Sequence, residues 1–358
     1  MNLLETLHEI RVKNLHFYDR KTKIKYKKML ILGPRKSGKT HLLVDYLQKF
    51  DVLDYLYIDF NDQRNDTSEL SHQKLNDFIK KNHIKILALD NFDFSFKIPT
   101  CEEIVITTDD KSIKLENYYT THLYPLDFEE FIAFDKKNFN AEQIFNLFSN
   151  KGGLPQIVVF NEENYYIKLQ NLAQNIFESK SEFYIFKKFC EMQSTKISLF
   201  QIFNQLKTKI KISKDSFYSV SQSLQNRELV FLLKKYKQEK SAKKVYIFDF
   251  AIKNGLTLKK DFLKRFENMV FLELYKKEKN LYYSDYIDFY IKDKKEGIVC
   301  SLFTPLVALE KKMQKAKNSL KAMDIKKVFI ITLGNEGNFV QNDINFTLIP
   351  FWDWTLGD

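Results

Sequence analysis

Glycine, proline, cysteine and long apolar runs are all scarce in this chain of 358 residues. Its three cysteines, Cys101, Cys190 and Cys300, are far apart and have no paired spacing. This spacing argues against a disulfide framework or a zinc site and favours a reducing compartment. No apolar run approaches the roughly 18 residues of a membrane span, and residues 1–17 lack the apolar core of a signal peptide. We therefore expect a cytoplasmic protein that has no membrane partner.

Two of the nine glycines stand at the spacing of a phosphate-binding loop, residues 33–40 (GPRKSGKT). Two glycines let the backbone wrap closely around a phosphate, and the N–H groups at the following helix N-terminus point at the anion. Lys39 would then reach the β- and γ-phosphates, and the Thr40 hydroxyl would ligate Mg²⁺. A glycine-capped turn with the same spacing is the alternative. The residues predicted to bind ATP are Gly33, Pro34, Arg35, Lys36, Ser37, Gly38, Lys39, Thr40 and His41.

The sequence around the loop alternates between strand-like and helix-like segments. The apolar run 29–32 enters the loop as a buried strand would, and Leu42, Leu43 and Leu47 then recur at helical spacing. Because such alternation is typical of α/β proteins, we expect a parallel five-stranded sheet with right-handed crossovers and helices on both faces. Four more strands are predicted at the apolar runs 55–60, 84–89, 103–108 and 121–126.

Polar residues at the ends of two predicted strands are candidates for catalysis. Asp90 follows the run 84–89, at the position where P-loop proteins hold Mg²⁺ beside the γ-phosphate. Thr107 lies at the tip of the strand 103–108, where a hydroxyl could orient the attacking water. A strand-end threonine whose hydroxyl is satisfied locally is the alternative. Thr40 and Asp90 are thus the predicted metal ligands, and Asp90 and Thr107 are predicted to act in catalysis.

Several stretches together resemble prokaryotic AAA-type P-loop ATPases that carry a winged helix and a C-terminal domain of unknown function related to PD-(D/E)XK nucleases. The likeness extends over nearly the whole chain and is looser in its last third. These stretches are 33–40 (GPRKSGKT), 59–64 (DFNDQR), 123–131 (LYPLDFEEF), 151–155 (KGGLP), 245–249 (VYIFD) and 349–354 (IPFWDW).

This resemblance implies a domain order for the chain. The family has an AAA-type core, a helical lid, a winged helix and a degenerate, nuclease-like α/β domain. Carried over to this sequence, the resemblance places Lys39, Thr40 and Asp90 at the nucleotide and Mg²⁺. The expected boundaries are 1–126, 127–190, 191–258 and 259–358.

One departure from the family affects the general base. Relatives usually have a glutamate directly after the Mg²⁺-binding aspartate, whereas Asn91 follows Asp90 here. An amide cannot take a proton at neutral pH, so general-base catalysis is lost at that position. Asp93, two residues further on, is the candidate substitute. We therefore expect ATP binding with slow turnover.

A second departure affects the cation that balances transition-state charge. Where relatives often place a Gly-Arg pair, this chain has residues 116–118 (ENY). Another cation would have to act there, and Arg35 and Arg227 are the candidates. The loss of that arginine also weakens the case for a ring-shaped assembly, although a homo-oligomer remains compatible with the family.

Residues 191–258 have the pattern of a winged helix, in which two short amphipathic helices precede a lysine-rich β-ribbon. The net charge of +11 permits DNA contact through this segment, although winged helices also serve as protein-contact modules. The partner is therefore either DNA or an unidentified protein. The helix residues that could contact DNA are Ser216, Ser219, Gln222, Gln225 and Asn226. The ribbon residues that suit phosphates are Lys234, Lys235, Lys237, Lys240, Lys243 and Lys244.

The last segment carries only part of a nuclease motif. Asp288 fits the first metal-binding position, and Glu267 on a predicted helix is its candidate partner. The strand expected to supply Glu-x-Lys reads 298–302 (IVCSL), so nuclease activity is not expected. The sequence favours an ATP-binding, nucleotide-dependent switch. The alternatives are a DNA-binding regulatory protein and an interaction scaffold that holds ATP without hydrolysing it.

Overall fold

The computed structural model describes residues 3–9, 12, 19–134, 139–160, 164–177 and 179–357. The segment 1–17, on which the expectation of no signal peptide rests, lies mostly outside these residues. The chain forms two compact units: the first is the chain as far as Pro125 together with Asn226–Glu228, and the second is Leu126–Gln225 with the chain from Leu229 onward. None of the helices in the described ranges is both long enough and apolar enough to cross a membrane.

The first unit is built around a parallel sheet, which confirms the expected five-stranded α/β core. Its strands pair in the order β2-β3-β4-β1-β5, and every pair is parallel. The strands are β1 (Lys28–Leu32), β2 (Tyr55–Asp59), β3 (Ile86–Asp90), β4 (Glu103–Thr108) and β5 (Tyr119–His122). The helices are α1 (Leu3–Glu9), α2 (Lys39–Leu47) and α3 (His72–Lys81), with 3-10 turns at Val52–Asp54 and Thr67–Glu69.

Both faces of this sheet are buried. Successive side chains of a strand point to opposite faces: Leu30 packs in one apolar cluster with Phe78 of α3, and Ile31 packs in another with Leu43 of α2. Burial on both faces explains why the strands read as continuous apolar runs in the sequence. The carboxyl ends of the strands carry the polar residues that the sequence analysis singled out.

The fifth strand lies earlier than the predicted segment 121–126. It spans Tyr119–His122 at the edge of the sheet, and most of its residues are exposed. An exposed edge strand has no apolar run to mark it in the sequence. The apolar residues Leu123 and Leu126, which suggested the later position, are buried directly after the strand.

The second unit begins with helices and ends in a mixed sheet. Its first part contains α4 (Phe128–Phe134), α5 (Ala141–Lys151), α6 (Pro155–Val158), α7 (Tyr165–Gln174) and α8 (Lys180–Glu191). Its middle part contains β6 (Lys196–Ile197), α9 (Leu199–Leu206), α10 (Lys214–Asn226), β7 (Val230–Leu233), β8 (Lys243–Ile247) and α11 (Ile252–Leu256). Its last part contains α12 (Phe262–Lys277), β9 (Leu281–Tyr282), β10 (Phe289–Ile291), β11 (Glu296–Cys300), α13 (Leu306–Ala322), β12 (Lys327–Thr332), β13 (Gly337–Gln341), β14 (Ile344–Pro350) and α14 (Phe351–Leu356).

The strands of this unit form two sheets. One is antiparallel, with the order β6-β8-β7. The other has the order β13-β14-β12-β11-β10-β9, and its central strands β11, β12 and β14 are parallel. The edge strand β13 was not predicted from the sequence, because its residues alternate between exposed and half-buried positions and none is fully buried. A continuous apolar core joins the unit from α4 to α14, as the packed rings of Phe128, Phe145 and Phe351 illustrate.

The end of β7 continues into main-chain pairing with the last part of the chain. The Tyr283 N–H donates to the Lys234 carbonyl at 3.0 Å, and the Tyr236 N–H donates to the Tyr283 carbonyl at 2.9 Å. The Tyr236 ring also contacts the rings of Tyr282 and Tyr290. The ribbon that follows β7 is therefore fixed to the six-stranded sheet.

The Asp249 carboxylate connects two sequence stretches, 151–155 and 245–249, whose role was not predicted from the sequence. Its carboxylate is fully buried and accepts from the N–H groups of Gly153 at 2.8 Å and Leu154 at 3.1 Å. It also accepts from Ala251 at 3.0 Å and Ile252 at 3.1 Å. These donors lie at the starts of α6 and α11, whose first N–H groups have no partner within the helix. The stretches 151–155 and 245–249 thus form one buried capping arrangement.

Candidate nucleotide-binding site

The loop between β1 and α2 has the backbone that a phosphate cradle requires. Gly33 has a φ of 152°, and a Cβ at this position would lie 2.2 Å from the Leu123 carbonyl oxygen. Gly38 has a φ of 102° and is the N-cap residue of α2. Both positions therefore need glycine. The loop turns directly into the N-terminus of α2, where the unpaired N–H groups favour an anion.

The interior of this loop contains polar groups that a phosphate would satisfy. Lys39 is buried, and its Nζ donates to the carbonyls of Gly33 at 2.6 Å and Pro34 at 3.0 Å. Burial lowers the pKa of Lys39 to about 8, while the charges of Asp109 and Asp90 act in the opposite direction. Within the described structure, the fully buried Ser37 Oγ has no hydrogen-bond partner. A buried ammonium and an unsatisfied hydroxyl at a helix N-terminus fit the phosphates of a nucleotide.

The outer part of the loop is more open. Arg35 and Thr40 are half-buried, and Lys36 is exposed. Burial lowers the pKa of His41 in the first turn of α2, and the charge of Asp90 raises it. The charge of Asp90 thus acts on both Lys39 and His41.

Asp90 is held rigidly at the end of β3. It is fully buried, and its Oδ1 accepts from the Thr107 hydroxyl while its Oδ2 accepts from the Tyr57 hydroxyl at 3.0 Å. The Thr107 hydroxyl in turn accepts from the Asn91 N–H at 2.9 Å. A carboxylate keeps further lone pairs when it accepts two such bonds. Thr40 and Asp90 therefore remain suited to hold Mg²⁺.

Protein ligands are few around this position. Among the described residues, no group of three or more His, Cys, Asp or Glu side chains is placed to hold a metal ion. Mg²⁺ at nucleotide sites commonly takes one or two protein ligands and completes its shell with phosphate oxygens and water. Thr40 and Asp90 match that requirement.

The amide that replaces the expected glutamate contacts a second carboxylate. Asp59 ends β2 and is paired in register with Asp90. The Asn91 Nδ2 donates to the Asp59 Oδ1 at 3.0 Å, and the Asn61 N–H donates to the same oxygen at 2.9 Å. Burial, and after it the charge of Asp90, raises the pKa of Asp59. Asp93, the predicted substitute base, is exposed, and its Oδ1 accepts from the Ser95 N–H at 3.0 Å.

Two guanidinium groups meet one carboxylate after β4. The Nε of Arg35 donates to the Asp109 Oδ2 at 3.1 Å, and the Nε of Arg227 donates to the same oxygen at 3.2 Å. Arg227 lies in the short segment Asn226–Glu228 that groups with the first unit. The structure thus brings together the two candidate cations, and Asp109 acts electrostatically on Lys39 as well.

A buried glutamate in the same segment was not predicted from the sequence. Glu228 accepts from the Tyr124 hydroxyl at 3.1 Å, and the His122 Nδ1 lies 3.2 Å from its other oxygen. Its charge also acts on Lys39. Nothing in the local sequence marks this residue, because its partners lie more than 100 positions away.

The candidate nuclease residues also come together, but around a lysine. Lys244 Nζ donates to the Glu267 Oε1 at 3.0 Å and to the Asp288 Oδ1 at 2.9 Å, and the lysine is buried. The Tyr246 hydroxyl donates to Glu267 at 2.6 Å, and the Cys300 N–H donates to the Asp288 Oδ2 at 2.9 Å. The prediction that Lys244 is available for DNA phosphates is therefore wrong.

The other residues proposed for DNA contact differ in exposure. Ser216, Ser219 and Gln222 on α10 are exposed, whereas Gln225 and Asn226 are half-buried. In the ribbon, the exposed lysines are Lys234, Lys237 and Lys240, and the half-buried ones are Lys235 and Lys243. Lys235 is also paired with Asp285 at 2.8 Å.

Comparison with known proteins gives similarity over most of the chain. A protein of Methanocaldococcus jannaschii named "Uncharacterized protein MJ1544" is 26% identical over 393 aligned positions, which cover 91% of this chain and 88% of the relative. The solved structure of the Walker-type ATPase PABY2304 of Pyrococcus abyssi matches with a TM-score of 0.46 and 14% identity, covering 65% of this chain and 91% of that one. Residues 25–112, which contain the loop and Asp90, match the family described as "AAA domain". The first unit is thus similar to an AAA domain over residues 25–112.

Proposed function

We propose that this protein binds Mg–ATP in its first unit, hydrolyses it slowly and uses the bound nucleotide as a switch. The observation that carries the proposal is the buried Lys39 ammonium inside a glycine-shaped loop, close to the fixed carboxylate of Asp90. A buried ammonium is costly unless it is paired, and Lys39 donates directly only to two neutral carbonyls. The triphosphate of ATP would supply it with a direct anionic partner.

Each residue of the site has a task under this proposal. Lys39 and the N-terminus of α2 hold the β- and γ-phosphates. Thr40 and Asp90 hold Mg²⁺, which when bound would polarise the γ-phosphate. Thr107 and Tyr57 fix the orientation of Asp90 through the hydrogen bonds described above. Arg35 and Arg227 supply positive charge for the transition state.

Slow turnover is expected because Asn91 leaves an amide at the usual base position, so that any general base must act from another position. Enzymes commonly turn over at about 1–1000 per second, and we expect a steady-state rate at or below the lower end of that range. A measured turnover of tens per second would contradict the effect assigned to Asn91. A single-turnover assay separates this proposal from a scaffold that holds ATP without hydrolysing it.

Titration calorimetry with Mg–ATP tests the binding site. Lys39→Ala removes the ammonium from the loop and should weaken binding by about 100-fold or more, since hydrogen bonds to charged groups contribute about 1.5–3 kcal/mol each. Lys49→Ala is the matched control, because Lys49 lies just beyond α2, is largely exposed and loses the same charge. Absence of heat with the wild-type protein, or equal binding by the Lys39 variant, would refute the proposal.

DNA binding through a winged helix formed by α9, α10 and the β6-β8-β7 sheet is the second candidate. The observation in its favour is the exposure of Ser216, Ser219 and Gln222 on one side of α10. The ribbon is fixed to the six-stranded sheet, and Lys235 is paired with Asp285. Both observations argue against a mobile wing. A steep salt dependence of DNA affinity would support this candidate, and no binding at low salt would eliminate it.

The last part of the second unit is proposed to be a structural or partner-binding relative of nucleases. Lys244 already places a cation between Glu267 and Asp288. A divalent ion would have to displace this buried ammonium. Mg²⁺-dependent nicking of DNA that is abolished by Asp288→Ala would overturn this interpretation.

A further inference from the structure

A carboxylate at the end of β2, Asp59, lies beside the amide that follows β3, Asn91. The family has its catalytic carboxylate directly after the Mg²⁺-binding aspartate, but that position is Asn91 here. A carboxylate, Asp59, instead ends the neighbouring strand. The parallel register pairs Asp59 with Asp90, so Asp59 lies at the same edge of the sheet as the Mg²⁺ ligand.

We propose that Asp59 is the general base for ATP hydrolysis and that Asn91 is its positioning residue. This inference rests on the proposed ATPase function. Three carboxylates, Asp59, Asp90 and Asp93, are candidates to accept the proton of the attacking water. They differ in the hydrogen bonds that their oxygens already accept, and this difference favours Asp59.

Asp90 is poorly suited to act as the base. Both of its oxygens already accept hydroxyl protons, from Thr107 and from Tyr57. It is also the proposed Mg²⁺ ligand, and a carboxylate bound to a metal is a weak proton acceptor. Asp93 is exposed and accepts from Ser95 in its own turn, so no contact among the described residues directs it to Asp90.

Asp59 has one oxygen fixed and the other available. Its Oδ1 accepts from the Asn91 Nδ2 at 3.0 Å and from the Asn61 N–H at 2.9 Å. Among the described residues, no hydrogen bond reaches its Oδ2. The side chain is half-buried, so water can approach it. A base needs this combination of fixed orientation and a free lone pair.

Asn91 has a left-handed backbone conformation and is fixed by two hydrogen bonds. Its φ is 55°, in the left-handed region that asparagine tolerates better than most residues. Its N–H donates to Thr107 and its side chain to Asp59. The same residue therefore connects the group that holds Asp90 with the carboxylate of Asp59.

The proposed step balances in atoms and charge. The water oxygen forms a bond to the γ-phosphorus, and the bond from that phosphorus to the β,γ-bridging oxygen breaks. The bonding electron pair leaves with ADP, and the proton of the water passes to the Asp59 Oδ2. Asn91 keeps its hydrogen bond to Oδ1 and so holds the orientation of the carboxyl group throughout.

Nucleotide binding and single-turnover hydrolysis, measured on the full chain, test the inference. Asp59→Asn should lower the single-turnover rate by at least about 100-fold, the lower end of what general-base catalysis contributes. Its affinity for Mg–ATP should stay within about threefold of wild type, because Asp59 does not hold the phosphates. Asp62→Asn is the matched control: Asp62 lies in the same turn and pairs with Arg64, and the rate should change less than twofold.

A second variant tests whether a carboxylate at position 91 can replace Asp59. Adding Asn91→Glu to Asp59→Asn restores a carboxylate at the family's usual place and should recover at least tenfold in rate over the single variant. Equal rates for wild type and Asp59→Asn, or no recovery in the double variant, would overturn the role of Asp59 while ATP binding still stood. Failure of the wild-type protein to bind Mg–ATP would overturn both this inference and the proposed function.

Discussion

Replacing Lys244 should lower the free energy of unfolding of the second unit more than most single substitutions do. It is buried between Glu267 and Asp288, with its Nζ 3.0 Å and 2.9 Å from their oxygens. Burial alone would lower the pKa of Lys244, but the charges of Asp288 and Glu267 outweigh it and raise the pKa well above its usual value. The lysine therefore stays charged, and Lys244→Met would leave two neighbouring carboxylates without their counter-charge.

The expected loss is about 3–5 kcal/mol, the usual cost of removing one partner from a buried ion pair. That is a large fraction of the roughly 5–15 kcal/mol by which domains are stable. Replacing all three residues with neutral ones, as Lys244→Met with Glu267→Gln and Asp288→Asn, should cost less than Lys244→Met alone. No uncompensated charge then remains in the interior.

Urea unfolding followed by tryptophan fluorescence suits this measurement. The two tryptophans of the chain, Trp352 and Trp354, both lie in α14 of the second unit. Their emission therefore reports the unfolding of the unit that contains Lys244. Lys240→Met removes the same charge from an exposed ribbon position and should change stability by about 0.5 kcal/mol or less.

The pH dependence of the stability of the Lys244→Met variant provides a second test. Burial, followed by the charge of Asp288, raises the pKa of Glu267, and Lys244 lowers it. Without Lys244 that pKa rises further above its unfolded value, so the folded variant binds a proton more tightly than the unfolded chain. The stability of the variant should therefore recover as pH falls towards the unfolded pKa of Glu267, 4.5. A loss below about 1 kcal/mol, or a loss that does not change with pH, would refute the reasoning.

Two further predictions concern buried groups of the same chain. Asp249→Asn should destabilise the second unit by about 3 kcal/mol in urea unfolding, because it removes acceptors for buried N–H groups. Burial raises the pKa of Asp249 to about 6, above its unfolded value of 3.8. Wild-type stability should therefore fall as pH rises from about 4 to 6, and the variant should lack this part of the decrease. Cys101, Cys190 and Cys300 are buried, and burial raises the pKa of each thiol. A thiol reagent at pH 7 should label them only after unfolding, and rapid labelling of the native protein would contradict the structure.

The parts of the fold that could be predicted are those that leave a pattern in neighbouring residues. A buried parallel strand produces an apolar run, and a phosphate-binding loop produces two glycines at fixed spacing. For this reason β1, β3 and β4 and the loop were found close to their true positions. The edge strands β5 and β13 produce no such run, because much of their surface is exposed.

The parts of the site that could not be predicted depend on strand register and on long-range packing. Asp59 and Asn91 are 32 positions apart, and only the pairing of β2 with β3 makes them neighbours. Lys244 has the same local context as the exposed ribbon lysines. Its position between Glu267 and Asp288 results from the packing of β8 against α12 and the strand that follows Asp288.

The main-chain bonds between Lys234, Tyr236 and Tyr283 have a consequence for dissecting this protein into fragments. A fragment that ended before α12 would lose Tyr283, and the ribbon after β7 would then present unpaired N–H and C=O groups to solvent. Open strand edges of this kind pair readily with other chains. Shortened versions of the protein are therefore expected to self-associate, and a cut that keeps the chain from Leu126 onward together would avoid exposing that edge.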